Sequence, residues 1–168
     1  MIRFRLYTIA AGLSLFLLGG CSEVTEPTPL TYSQLLTGKE KKTWSLVSFE
    51  VIDEGEGSGT IPANNLFNGA CEADDQFVFY ANAERKYEFI NGPTKCSSSE
   101  PDVLLTDSWN FTNANATLEF AFPVLSTGKL PFIVKSLSET SMTIEIYLDD
   151  IQGIDASYRF TLSSSSTK

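Results

Sequence analysis

The stretch from Met142 to Leu148 constrains this chain most: its even positions, Met142, Ile144, Ile146 and Leu148, are apolar, while Thr143 and Glu145 point the other way. Successive side chains of a strand point to opposite faces, so this pattern is a strand with one face buried. Shorter versions recur at Trp44–Phe49, Phe77–Tyr80, Tyr87–Ile90, Trp109–Phe111, Leu118–Phe122, Phe132–Lys135 and Tyr158–Leu162. Turn formers separate them, as in Asn82-Ala83-Glu84, Asn91-Gly92-Pro93 and Asn113-Ala114-Asn115. Strands that follow one another through tight turns are usually neighbours. A sheet with one apolar face buries it, and loses its edges, by closing on itself. The expected fold is therefore all-β: an antiparallel, up-and-down barrel of about eight strands. A β-sandwich produces the same alternation and is the runner-up.

The N-terminus reads differently. Arg3 and Arg5 precede an uncharged apolar run from Leu6 to Leu18, too short for a helix that crosses a bilayer. A basic start and a short apolar run are the marks of a secretory signal peptide. Leu18-Gly19-Gly20-Cys21 then resembles the lipobox of bacterial lipoproteins. That resemblance implies cleavage after residue 20 and acylation of Cys21, with a diacylglycerol on the thiol and a further chain such as palmitate on the amine. More than one chain makes such anchoring stable, at about 0.8 kcal/mol per buried CH₂. An ordinary signal peptide ahead of an incidental cysteine is the other reading.

The division that follows is a signal peptide over 1–20, a Pro-containing tether over 21–34, a β domain over 35–163 and a tail over 164–168. Thr31 to Lys41 is expected to hold a short helical turn that plugs one barrel end through Leu35 and Leu36. The long segment from Asp53 to Ala70, with Gly55, Gly57, Gly59 and Gly69, reads as a loop.

Charge and cysteine count narrow the function. Of 12 basic residues, Arg3 and Arg5 leave with the leader, so the mature chain carries 10 basic against 21 acidic residues, a formal charge of −11. Such a surface repels phosphate backbones, which argues against nucleic-acid partners and against a peripheral binder of anionic membranes, while tethering through lipid needs no basic patch. With Cys21 committed to lipid, two of the 3 cysteines remain. In an exported chain an even pair reads as a disulfide, Cys71–Cys96.

Residues 36–162 together resemble the lipocalin-like domains of small bacterial lipoproteins. The resemblance rests on Leu36-Thr37-Gly38 before Trp44, Cys71-Glu72-Ala73-Asp74-Asp75 before Phe77 and Phe79, Tyr87-Glu88-Phe89, Asn91 to Cys96, Trp109, Leu118, Leu137-Ser138 and Tyr158-Arg159-Phe160. It implies a short lipocalin-like barrel with the two cysteines bonded, and it brings no activity and no catalytic residues.

Candidate chemistry is sparse. There are 0 histidines, no Gly-x-Ser-x-Gly elbow and no phosphate-cradling glycine motif, so triad and nucleotide chemistry lack their parts. Adjacent Asp74 and Asp75 could form a cation site or an acid/base pair, but neighbours on a strand face opposite sides, so they read as a turn and strand entry with one carboxylate accepting backbone N–H bonds. Asp149, Asp150 and Asp155 around Gly153 are hard oxygen donors of the kind calcium takes, without the EF-hand spacing. No metal, cofactor or enzymatic activity is expected. Asn110-Phe111-Thr112 and Asn115-Ala116-Thr117 match an Asn-glycosylation acceptor and are read as turns.

Phe79, Phe89, Trp109, Phe111, Phe120 and Phe160 are placed to line the barrel, as a cavity wall or as filling. Two functional readings follow. The first is an anchored binder of a small apolar or amphipathic ligand at the cell envelope, on the outer membrane. The second is a structural lipoprotein, an accessory subunit of an envelope protein assembly.

Overall fold

The computed structural model describes residues 29–53, 56–67, 69–151 and 154–164, without the side chains of 149–151, 154 and 155. The signal segment, Cys21, most of the tether, the Asp149, Asp150 and Asp155 carboxylates and the tail from Ser165 lie outside the described residues.

The described residues form α1 (Tyr32–Thr37) and eleven strands: β1 (Lys41–Asp53), β2 (Glu56–Gly57), β3 (Ile61–Pro62), β4 (Gln76–Tyr80), β5 (Lys86–Ile90), β6 (Val103–Ser108), β7 (Asn110–Thr112), β8 (Thr117–Phe122), β9 (Ser126–Leu137), β10 (Ser141–Ile151) and β11 (Ile154–Ser163). A second short helix, α2 (Ala70–Ala73), precedes β4. All pairings are antiparallel, in the order β6-β5-β4-β1-β11-β10-β9-β8-β7.

The two ends of that order are consecutive in the chain. β6 pairs with β5, β7 pairs with β8, and Trp109 alone separates β6 from β7. One extended run of backbone thus serves both edges and nearly closes the sheet into a barrel. Counted as staves, β6 and β7 are one, and the barrel has the expected eight. Trp109 holds this switch of partners: its backbone N–H donates to Arg85 O at 2.9 Å and its indole Nε1 donates to Tyr80 O at 3.0 Å.

β1 explains the segment that reads as a loop. Its first half pairs with β4, from Lys41↔Tyr80 to Ser45↔Gln76, and a register shift follows between Leu46 and Ser48. Beyond that bulge β4 no longer covers the strand, and an open row of N–H and C=O groups would remain. β3 covers Ser48 and Phe49, and β2 covers Ile52 and Asp53. The Asp53–Ala70 segment is therefore partly a fold-back that protects an edge.

Helix α1 plugs the end where β1 begins. Thr31 is its N-cap, and its side chain and that of Gln34 form a capping box. Leu36 is fully buried, and Trp44 donates its indole N–H to Leu36 O at 2.9 Å. Helical structure thus starts inside the expected tether, with Tyr32. At the same end Ser164 is buried and donates its N–H to Thr140 O at 3.0 Å, so it belongs to the sheet rather than to a tail. The opposite end carries α2 and the 91–102 loop, joined by the Cys71–Cys96 disulfide at a Cα–Cα distance of 5.2 Å.

On the outer surface an ion ladder crosses the junction of first and last strands. Arg159 on β11 contacts Glu50 on β1 at 3.3 Å and Glu145 on β10 at 2.8 Å, and Lys135 on β9 reaches Glu145 at 3.7 Å. Such half-exposed pairs contribute at most about 1 kcal/mol each, so the ladder sets register more than stability.

The disulfide contributes more. It restricts 25 residues of separation in the unfolded chain, which is worth roughly 3–4 kcal/mol on the chain-entropy account. Replacing both cysteines with alanine should lower unfolding free energy by about that amount in urea melts. A loss below about 1 kcal/mol would show that the far-end loops hold without it.

Candidate functional site

Two regions have the geometry to host function: the barrel interior and a cleft at the α1 end. The interior is set by strand alternation. Phe77 and Phe79 on β4, Tyr87 and Phe89 on β5, Leu118, Phe120 and Phe122 on β8, Phe132 on β9 and Phe160 on β11 all point inward, and all are buried.

These rings meet each other across the barrel. Phe77 stacks on Phe122 with centroids 5.1 Å apart and planes at 10°. Phe79 meets Phe120 edge-on at 5.2 Å, and Tyr87 meets Phe120 at 5.4 Å. Phe122 reaches Phe160 at 4.9 Å. β4 and β8 are not neighbours in the sheet, and neither are β8 and β11. Contacts between them therefore fill the middle of the barrel. Offset and edge-to-face pairs at such distances are favourable, at about 0.5–1.5 kcal/mol beyond burial.

Of the six side chains expected to line the interior, Phe79, Phe120 and Phe160 are fully buried within this ring cluster. Phe89 sits beside Phe77 at 5.2 Å. Trp109 lies toward the α1 end, where its ring meets Phe79 at 6.5 Å and Phe111 at 5.7 Å. Phe111 is half-buried and packs against Tyr32 of α1 at 6.1 Å. The structure brings five of the six into the buried core and leaves Phe111 at its rim. Among the described residues, the Tyr87 hydroxyl is buried in the interior without a hydrogen-bond partner. Burial pushes its pKa far up, assisted by Asp107, so the phenol stays neutral.

At the α1 end an open cleft of about 1260 Å³ runs between α1, the start of β1 and the β4–β5 turn. Lys39, Lys41, Lys42 and Arg85 line it, together with Leu30, Glu40, Glu139 and the edge of Trp109. Lys42 is committed to structure: its Nζ donates to Leu35 O at 2.7 Å and to Glu139 O at 3.0 Å. Burial lowers its pKa, and the Glu139 charge opposes that. Arg85 lies over the Trp109 ring and donates to Asn110 Oδ1. Sequence reading did not single out these cations. The run Lys39-Glu40-Lys41-Lys42 was the visible signal, but Arg85 joins it only through the β1–β4 and β4–β5 pairings.

The Asp74–Asp75 pair behaves as a loop clamp. Asp75 Oδ1 accepts from Gly92 N at 3.1 Å, and Asp74 Oδ2 accepts from Thr94 N at 3.0 Å. Gly92 lies so close to Asp74 that a Cβ there would collide with the Asp74 backbone and carboxylate. No group of three or more candidate metal ligands occurs among the described residues. On the outer face Glu88 is covered by Lys86 at 2.6 Å and by the Tyr80 hydroxyl at 2.5 Å. Burial raises the Glu88 pKa, but the hydrogen bonds from Lys86 and Tyr80 outweigh it and leave the net shift downward. The same bond pushes the Tyr80 pKa up to about 12.

Asp75 is buried, and desolvation raises its pKa, with Asp74, Glu100 and Glu72 adding to the rise and the Gly92 hydrogen bond opposing it. A carboxyl raised in the folded state favours folding in its protonated form, so it costs stability once pH exceeds the ordinary carboxylate range near 4. Asp75→Asn keeps an oxygen for the Gly92 N–H and removes that cost. It should be at least as stable as the parent at neutral pH, with the difference shrinking as pH falls through about 4 in denaturant titrations. Marked destabilisation at all pH values would instead show that the Asp75 charge holds the loop.

Against known proteins, the chain matches no family model and no curated relative.

Proposed function

We propose that the mature protein is a non-catalytic module, held at the outer membrane by lipid on Cys21, that works through its outer surface as an accessory part of an envelope protein assembly. The observation that carries this reading is the ring contact across the barrel, from Phe77 through Phe122 to Phe160. A lumen occupied by its own side chains leaves the outside as the working surface.

The end away from the tether is the natural contact face. The disulfide pins it, Glu72, Asp74 and Glu100 gather there around the buried Asp75, and Lys95 pairs with Asp102. Opposite charge on a partner steers encounter and fixes orientation, so a basic protein surface is the complement. Lipidation supports the same reading, because it places the domain where envelope assemblies stand.

Photo-cross-linking residues placed at exposed Ser58 and Ser98, in cells carrying the full chain, test it. Specific protein adducts from these positions and not from exposed Ile133 on β9 are expected. Metabolic labelling with a palmitate analogue should be lost in Cys21→Ser. Absence of adducts, with a monomeric protein in solubilised envelopes, would overturn the assembly role.

The ligand-binding reading keeps one observation in its favour, the unpartnered Tyr87 hydroxyl in the interior. Saturable binding of fatty-acid probes, competed out by Tyr87→Phe or by enlarging a core side chain, would restore it.

A further inference from the structure

We infer that the α1 end of the barrel is a membrane-contacting face that settles on the anionic headgroups of the bilayer holding the anchor. The inference rests on the lipid-anchoring reading and deepens it. Only ten residue steps separate Cys21 from Thr31, the N-cap of α1. Fully extended, that stretch spans at most about 35 Å. The plugged end is therefore confined near the lipid surface, whatever the tether does.

The composition of that end suits an interface. Leu30 and Tyr32 are exposed there at 47% and 44%, among the few large apolar side chains at the surface. Leu30 lines the cleft beside Lys39, Lys41, Lys42 and Arg85. Apolar side chains and the stems of cations together are the combination that lies at a headgroup boundary. Glu40, Glu84 and Glu139 share the end, and Glu23 and Glu26 stand between Cys21 and α1, so the end is a local cationic patch without a net positive charge. What orients the molecule is the difference between ends, since the opposite one concentrates Glu72, Asp74, Asp75, Glu100 and Asp102 against Lys95. In a negative surface potential, which decays over about 8 Å at physiological salt, such a charge gradient turns the less acidic end, with its patch of cations, down and the acidic end out. Glu23 and Glu26 beside the anchor oppose this attraction, so the effect rests on the difference between the two ends of the folded domain.

The test uses the full-length lipoprotein, purified from membranes and reconstituted into phosphatidylcholine vesicles with or without phosphatidylglycerol. A donor dye is placed through an unnatural amino acid at Asn82, in the β4–β5 turn, or at Ser98, in the disulfide loop, with an acceptor dye on lipid. Both positions are exposed. Transfer from Asn82 should exceed transfer from Ser98 on anionic vesicles, and the excess should fall on raising salt or omitting phosphatidylglycerol. The triple variant Lys39→Glu, Lys41→Glu, Arg85→Glu, which spares the structural Lys42, should lose the dependence on anionic lipid while still floating with vesicles. If that variant does not fold, the salt and lipid comparisons on the parent decide alone. Equal transfer from both positions under all conditions, in a protein that floats, overturns the inference and leaves the anchor standing. A chain that floats with neither vesicle overturns the anchoring reading, and this inference with it.

Discussion

Phe120 touches five other rings, and the barrel is organised around that contact. Its centroid lies 5.2 Å from Phe79, 5.4 Å from Tyr87, 5.1 Å from Phe132, 5.8 Å from Phe122 and 6.3 Å from Phe77. Those side chains come from β4, β5, β8 and β9, which lie on different sides of the wall. A sheet of this size that closes without filling its middle would leave aromatic faces in water or a void. Burial of these rings removes both costs, each buried aromatic contributing on the order of 1.5–3 kcal/mol before packing is counted. The same fact bears on function, because side chains in mutual contact leave the inner face engaged.

Closure depends on two places where backbone changes partners. At Trp109 one extended segment leaves β5 and joins β8, and the indole and backbone N–H groups of that residue are both satisfied by carbonyls of the β4–β5 turn region. At Leu46–Ser48 the bulge in β1 releases β4 and admits the short β2 and β3 pieces. Both serve one requirement, that no buried or exposed edge keep a run of unpaired amides. The ends of the barrel then differ in kind. One is sealed by a helix and lined with cations. The other is stapled by a disulfide and is rich in carboxylates.

Legibility in the sequence followed the wetness of each face. β10 was readable because Met142, Ile144 and Ile146 are buried and the residues between them are not. α1 was readable from Leu36 and the fact that a barrel end needs a lid. The disulfide followed from counting three cysteines and assigning one to lipid. β6 was not readable, since Val103 and Leu104 are exposed and its faces do not alternate cleanly. The glycines between Asp53 and Ala70 suggested an open loop, because two-residue strands that guard an edge leave no periodic trace. Whether the aromatic residues form a wall or a plug was also hidden. Strand patterns say which way Phe77 and Phe122 point but not that they meet, which depends on the stagger of the whole barrel.

The packed interior is tested most directly by Phe120→Ala, read as the change in unfolding free energy and in binding of xenon or benzene to the variant. A filled barrel predicts a loss of about 3–5 kcal/mol together with a new apolar cavity that takes up such probes. A loss under about 1 kcal/mol, with the parent protein already binding the probe as well as the variant, would contradict it.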